Sequence, residues 1–163
     1  MKLIIIANRL PVRVQKGNDG NIKMIRSEGG LATGLSSLET DVEIHWVGWP
    51  GIFTDDPQEI AEITRQLEEM HFHPVFLTDE QIQNYYEGYS NSTIWPLCHY
   101  FYTYIEYEAR YWDAYREVNR LFSDKTSEMD MRIKQTTPPR RVPRMAARME
   151  MITVTANPSK TSL

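Results

Sequence analysis

The chain has 163 residues, 41% of them hydrophobic, and a formal net charge of −4. That length and apolar content suit one domain with a real core and exclude a wholly disordered chain. The acidic balance gives no support for nucleic-acid binding, and the single cysteine, Cys98, excludes an internal disulfide and a cysteine-based zinc site.

The chain opens on "MKLIIIANRLPV". Asn8 and Arg9 cut the apolar run short of a signal peptide, and no stretch approaches the roughly 18 apolar residues of a membrane helix. A soluble, cytoplasmic protein is the expectation. "LIIIAN", Leu3 to Asn8, reads as a strand buried on both faces, as in a parallel sheet. Alternation on both sides of Gly17-Asn18-Asp19-Gly20 predicts a hairpin of Val12–Gln15 against Ile22–Arg26. Leu31, Leu35 and Leu38 have helical spacing, so a helix is predicted just after Gly29-Gly30. "EIHWVGW", Glu43 to Trp49, is a second buried strand.

"DDPQEIAEITRQLEEMHF" predicts a helix capped by Asp56, with Pro57 in its first turn and Ile60, Ile63 and Leu67 inward. "HPVFLT" is a third strand. Thr78 is a cap for "TDEQIQNYYEGY", with Glu80 and Gln81 in the first turn. A last helix covers "YEARYWDAYREVNRLFSDK", with Tyr111, Tyr115, Val118 and Leu121–Phe122 on one side. Strands alternating with helices predict an α/β layered domain.

Composition breaks near residue 125. Residues 1–125 hold 11 Lys+Arg and 19 Asp+Glu, whereas residues 126–163 hold 7 and 3. Every aromatic residue precedes the break, and the tail has no sustained apolar period. Pro138, Pro139 and Pro143 interrupt it. Disorder is expected there, apart from a short strand at Met151–Thr155.

In an open α/β sheet, ligands bind outside the carboxyl ends of the strands. Arg9 stands just after the first strand, with a guanidinium fork suited to phosphate. Gly29-Gly30 precedes a helix N-terminus, where backbone amides favour an anion. Such a glycine pair is more often plain turn chemistry, and this one matches neither the dinucleotide fingerprint nor the P-loop. "NYYEGYSNSTIWPLCHYF" mixes Tyr85, Tyr86, Tyr89, Trp95, His99, Tyr100 and Phe101 with amides and hydroxyls. That suits a sugar, and it suits a core at least as well. Trp46 and Trp49 carry the same ambiguity. The histidines predict no metal site: His71 and His73 are two apart, and His45 and His99 have no evident acidic partner.

"IIIANRLPV", "SEGGLATGL", "WVGWPG", "YYEGYSNSTIWPLCHY" and "YWDAYREVNRLFSDK" together resemble, in order, successive blocks of the trehalose-6-phosphate synthase family. The resemblance runs to about Lys125. It implies an incomplete N-terminal Rossmann-like domain, with an N-terminal β-hairpin, of a two-domain (GT-B type) retaining glycosyltransferase. Residues 1–125 would be that partial acceptor-binding domain and residues 126–163 a divergent tail. The family transfers glucose from UDP-glucose to glucose 6-phosphate. These are the implied small-molecule partners, with no cofactor, metal, nucleic acid or membrane. The parent enzyme could be a homo-oligomer.

By the same resemblance, Arg9 contacts the acceptor's phosphate, and Tyr86 binds glucose 6-phosphate. Trp95 helps select the anomer, and Gly29 and Gly30 reach the donor's diphosphate. No residue present is assigned a catalytic role beyond that of Trp95. The family's "HDYHL"-like block and its second domain have no counterpart here. The chain therefore reads as a truncated or frameshifted gene product, or one with an altered C-terminus, inactive by itself. A non-catalytic sugar-phosphate-binding module is the alternative expectation.

Overall fold

The computed structural model describes residues 2–17, 21–26, 42–136 and 152–154. Four parallel strands form the central sheet: β1 (Lys2–Arg9), β4 (Glu43–Trp49), β5 (Phe72–Pro74) and β6 (Ile152–Val154), in the order β5-β4-β1-β6. The antiparallel hairpin β2 (Val12–Lys16) and β3 (Ile22–Arg26) forms a separate ribbon, with Val12 opposite Arg26 and Lys16 opposite Ile22. The predicted α/β class, parallel sheet and hairpin are therefore all present.

Period-two alternation along β1 explains the layering, because successive side chains point to opposite faces. Ile5 and Ala7 join Trp46, Ile63 and Leu67 in one core. Ile4 and Ile6 pack instead against a second core containing Val47, Trp49, Val118, Phe122 and Met129. The first core is closed by helix α1 (Pro57–Glu68). Asp56 caps it, its carboxylate accepting from the Gln58 amide at 2.9 Å, and Pro57 occupies the first turn. Ile63 and Leu67 are fully buried.

The next helical segment starts as predicted at Thr78, whose hydroxyl and the Gln81 side chain form a reciprocal capping box. A short α2 (Asp79–Gln81) then gives way to a π-helix, Ile82–Ile94, before α3 (Trp95–Cys98) restores α geometry. Side chains reinforce the wider turn. Ser90 Oγ donates to the Tyr85 carbonyl at 3.1 Å, and Ser92 Oγ to the Glu87 carbonyl at 2.9 Å, each five residues back. So long a π-helix is rare, and no sequence period announces it.

Two expectations shift and a third is met. The third strand lies at Phe72–Pro74 rather than His73–Thr78. Val75 still donates to the Gly48 carbonyl at 2.9 Å, after which the chain turns to the Thr78 cap. The long helix α4 (Ala109–Thr136) passes straight through the composition break at residue 125. Its inner stripe continues beyond that point: Met129 is buried with Val118 and Phe122, and Thr126 Oγ1 donates to the Phe122 carbonyl at 2.7 Å. A strand is present near the chain end, at Ile152–Val154, pairing parallel with Ile5–Ala7. The predicted helix after Gly29-Gly30 lies outside the described residues. No helix among the described residues is long and apolar enough to cross a membrane.

Leu67 fills the first core, whereas Arg65 sits on the outer face of α1 with Glu62 and Glu69. Leu67→Ala should cost about 2–5 kcal/mol in urea unfolding. Arg65→Ala should change stability by under about 1 kcal/mol, since exposed ion pairs contribute little.

Candidate functional site

The carboxyl ends of β1 and β4 lie side by side, and the register between them shifts between Ile6 and Arg9. Gly48 makes that shift possible. A Cβ there would lie 2.8 Å from the Leu10 amide nitrogen and 2.9 Å from the Ala7 carbonyl oxygen, so only glycine lets the two backbones approach. The Leu10 amide donates to the Trp49 carbonyl at 3.0 Å, and the Val14 amide to the Pro50 carbonyl at 2.9 Å. These bonds fix Arg9 at the top of the sheet and tie the hairpin to it.

Arg9 lays its guanidinium over the Trp49 ring, 4.8 Å from the ring centre. Trp49 is buried, and its Nε1 donates to the Ile52 carbonyl at 3.2 Å, which fixes the ring. Around this pair opens a cavity of about 220 Å³, lined by Arg9, Arg13, Arg26, Trp49, Gly51 and apolar hairpin residues. None of the three arginines forms an ion pair with a described carboxylate. A concave site lined by three arginines that no described carboxylate pairs is suited to an anion.

Asn8 adds a second signal. It is 8% exposed, and neither of its side-chain amide atoms has a hydrogen-bond partner among the described residues. An unmet buried polar group costs about 1–3 kcal/mol, so Asn8, next to Arg9 in the chain though not in the cavity lining, has bonding capacity that no described residue uses.

The predicted site residues are distributed unevenly. Arg9 lines the cavity. Tyr86 is 9% exposed, on the π-helix, in the same core cluster as Trp49. Trp95 is half-buried, stacked between His99 at 4.2 Å and Phe101 at 5.9 Å. Neither Tyr86 nor Trp95 lines the cavity. Gly29 and Gly30 lie outside the described residues. Arg13 and Arg26 were missed by sequence reasoning: the hairpin register sets them opposite Ile25 and Val12, and only the ribbon's position beside β1 brings both to the cavity lining.

The aromatic segment mostly packs. Tyr89 contacts Tyr115 at 4.6 Å and Trp112 at 5.4 Å, joining the π-helix to α4. Burial pushes the Tyr85 phenol up to about 12, with Tyr115 and Tyr86 as lesser contributors, so it stays a neutral donor. Beyond it Tyr100, Tyr102, Tyr104 and Tyr107 are exposed.

At the opposite, amino-terminal end of the sheet, the histidines converge. His45 has the acidic partner it was expected to lack: Glu43 Oε1 lies 2.9 Å from His45 Nε2, because residues two apart on a strand share a face. His45 Nδ1 lies 3.0 Å from His73 Nε2, and the His45 and His71 rings are 4.8 Å apart. Burial lowers the pKa of His45, and it brings His73 down to about 4, helped by His45, Lys125, His71 and Arg132.

The fold and both sites can be set against known proteins. The sequence model of glycosyltransferase family 20 matches residues 1–132. The chain belongs to glycosyltransferase family 20. It is 41% identical over 130 residues to the UDP-forming alpha,alpha-trehalose-phosphate synthase of Botryotinia fuckeliana, covering 80% of this chain and 25% of that protein. It is 40% identical over 124 residues to the trehalose-6-phosphate synthase of Mycolicibacterium smegmatis, covering 76% and 24%.

The fold matches the N-terminal part of a Burkholderia xenovorans UDP-forming synthase solved with glucose-6-phosphate. The TM-score is 0.54 and the identity 22%, over 79% of this chain and 26% of that one. An Escherichia coli structure described as bound with UDP-2-fluoro glucose gives a TM-score of 0.56 at 21% identity, over 79% and 25%. The family 20 chain described here thus spans about a quarter of the length of these relatives.

Two outcomes test this description. Gly48→Ala should destabilise the chain by about 1–3 kcal/mol or more, because the new Cβ meets backbone rather than a yielding side chain. Urea unfolding measures it. His73 has a folded-state pKa of about 4, below the unfolded value of 6.5. The stability tied to its neutral form is full above pH 6.5 and is lost as pH falls toward 4. The urea midpoint should therefore drop between pH 7.5 and pH 4.5, and His73→Gln should flatten that drop.

Proposed function

We propose that this chain supplies the acceptor-binding part of a retaining glycosyltransferase. That enzyme moves glucose from UDP-glucose to glucose 6-phosphate, giving trehalose 6-phosphate and UDP. The observation that carries the reading is the cavity at the carboxyl end of the sheet, whose three arginines form no ion pair with a described carboxylate, in a family 20 chain whose relatives are named as trehalose-phosphate synthases. A phosphate monoester is dianionic near neutrality and accepts the bidentate bonds that guanidinium groups offer. Arg9 is its principal partner, with Arg13 and Arg26 beside it. Asn8, whose side-chain amide has no partner among the described residues, would meet a sugar hydroxyl or phosphate oxygen.

Tyr86 and Trp95 are assigned to the glucose 6-phosphate side, Trp95 acting on choice of anomer. The backbone at Gly29 and Gly30 is assigned to the UDP-glucose diphosphate. The acceptor hydroxyl attacks on the face from which UDP departs, and the leaving phosphate takes its proton. Catalysis is then positioning plus stabilisation of charge on the diphosphate. The cavity's modest volume fits one lobe of such a site rather than all of it. Residues 1–125 would form the partial acceptor-binding domain and residues 126–163 a divergent tail, in a cytoplasmic protein.

Calorimetric titration of the 163-residue chain tests the reading. Glucose 6-phosphate should bind at one site and glucose should not, with no turnover when UDP-glucose is added. Arg9→Ala should weaken the sugar phosphate by about tenfold or more, the loss of a charge-assisted pair. Equal binding of glucose and glucose 6-phosphate, or an Arg9→Ala variant that binds like the parent, would overturn it.

A further inference from the structure

The Glu43–His45–His71 cluster has no part in the proposed sugar chemistry. It lies at the far end of the strands from Arg9, about 20 Å away by strand rise. Glu43 and His45 come from one face of β4, and His71 from the turn between α1 and β5. One ligand atom from each lies within 4.8 Å of the others. We propose that these three residues bind a borderline divalent transition-metal ion of the zinc type, as a site separate from the sugar pocket.

The chemistry of the donors selects the ion. Two imidazoles and one carboxylate suit zinc and its neighbours, whereas magnesium and calcium prefer oxygen alone. Metal–ligand distances near 2.0–2.2 Å require the donors to draw together to roughly 3–4 Å. Only Glu43 and His71 need rotate, and both reach solvent: His71 is exposed, and the Glu43 side chain is 39% exposed. The third ligand is already fixed. His45 is 4% exposed, and its Nδ1 meets His73 Nε2 at 3.0 Å. With Nε2 exchanging its Glu43 partner for the ion, Nδ1–H donates to His73, which sets tautomer and ring orientation from behind.

The backbone at His71 is pinned as well. It adopts φ 61°, a left-handed conformation uncommon for a residue with a side chain. Its amide donates to the Glu68 carbonyl at 3.1 Å, and its carbonyl accepts from the Trp46 amide at 3.0 Å. Lys2 holds the other carboxylate oxygen of Glu43 at 3.3 Å, so the ion would take Oε1 in exchange for its 2.9 Å bond with His45 Nε2.

Cobalt(II) titration of the full 163-residue chain, followed by its visible d–d absorption and then by zinc displacement, tests the proposal. One equivalent should bind saturably and be displaced by zinc. His71→Asn, which tolerates the left-handed backbone, and Glu43→Gln should each weaken binding about tenfold or more. His99→Asn should bind like the parent. Circular dichroism verifies that each variant is folded. No saturable binding, or undiminished binding by folded His71→Asn and Glu43→Gln chains, would overturn the site. Neither outcome bears on the Arg9 cavity, which is read separately through glucose 6-phosphate.

Discussion

Close backbone contact at Gly48 governs the upper end of this fold. There β1 and β4 approach too tightly for any side chain, and the register between them slips. The slip turns Arg9 onto the face of Trp49, while the Leu10 and Val14 amides bind the strand exit and the hairpin to the carbonyls of Trp49 and Pro50. The arginine cavity is a product of that contact. Its cationic lining comes from three strands, β1, β2 and β3, and one missing methyl group permits the approach that sets Arg9 over the indole.

Below that contact, the two cores divide the work. Alternate residues of β1 and β4 feed one or the other, so both layers must be present for either strand to be buried. This explains the unbroken apolar run "LIIIAN", which an antiparallel sheet with one wet face would not need. The π-helix then widens the backbone where Tyr86 enters the core beside Trp49, and it carries Tyr89 toward α4. Core and candidate site share the indole: Trp49 packs in the cluster that holds Val118 and Phe122 and also carries Arg9.

Local signals in the sequence were strong where they are chemically exclusive. Asp56-Pro57 and Thr78–Gln81 announce helix starts because each satisfies otherwise orphaned amides, and both caps are seen. The hairpin followed from alternation about the glycines. Signals failed where the cause is tertiary. The π-helix has no period of its own, and α4 outran the composition break because Met129 still had a core to enter. Arg9 was legible from its place after a buried strand. Arg13 and Arg26 became partners only through the hairpin's docking. The histidine cluster needed the adjacency of β4 and β5, although Glu43 and His45 could have been paired from the strand alone.

The short outer strand β5 has an effect on how the molecule meets other chains. Val75 directs its amide toward β4, so the preceding residue directs its own backbone outward. That residue is Pro74, which has no N–H to offer. Of the two outward-facing residues, Phe72 and Pro74, only Phe72 has an N–H, so the rim offers an incoming strand one donor rather than two, and it is only three residues long. Proline at this rim weakens strand addition through covalent structure rather than through charge.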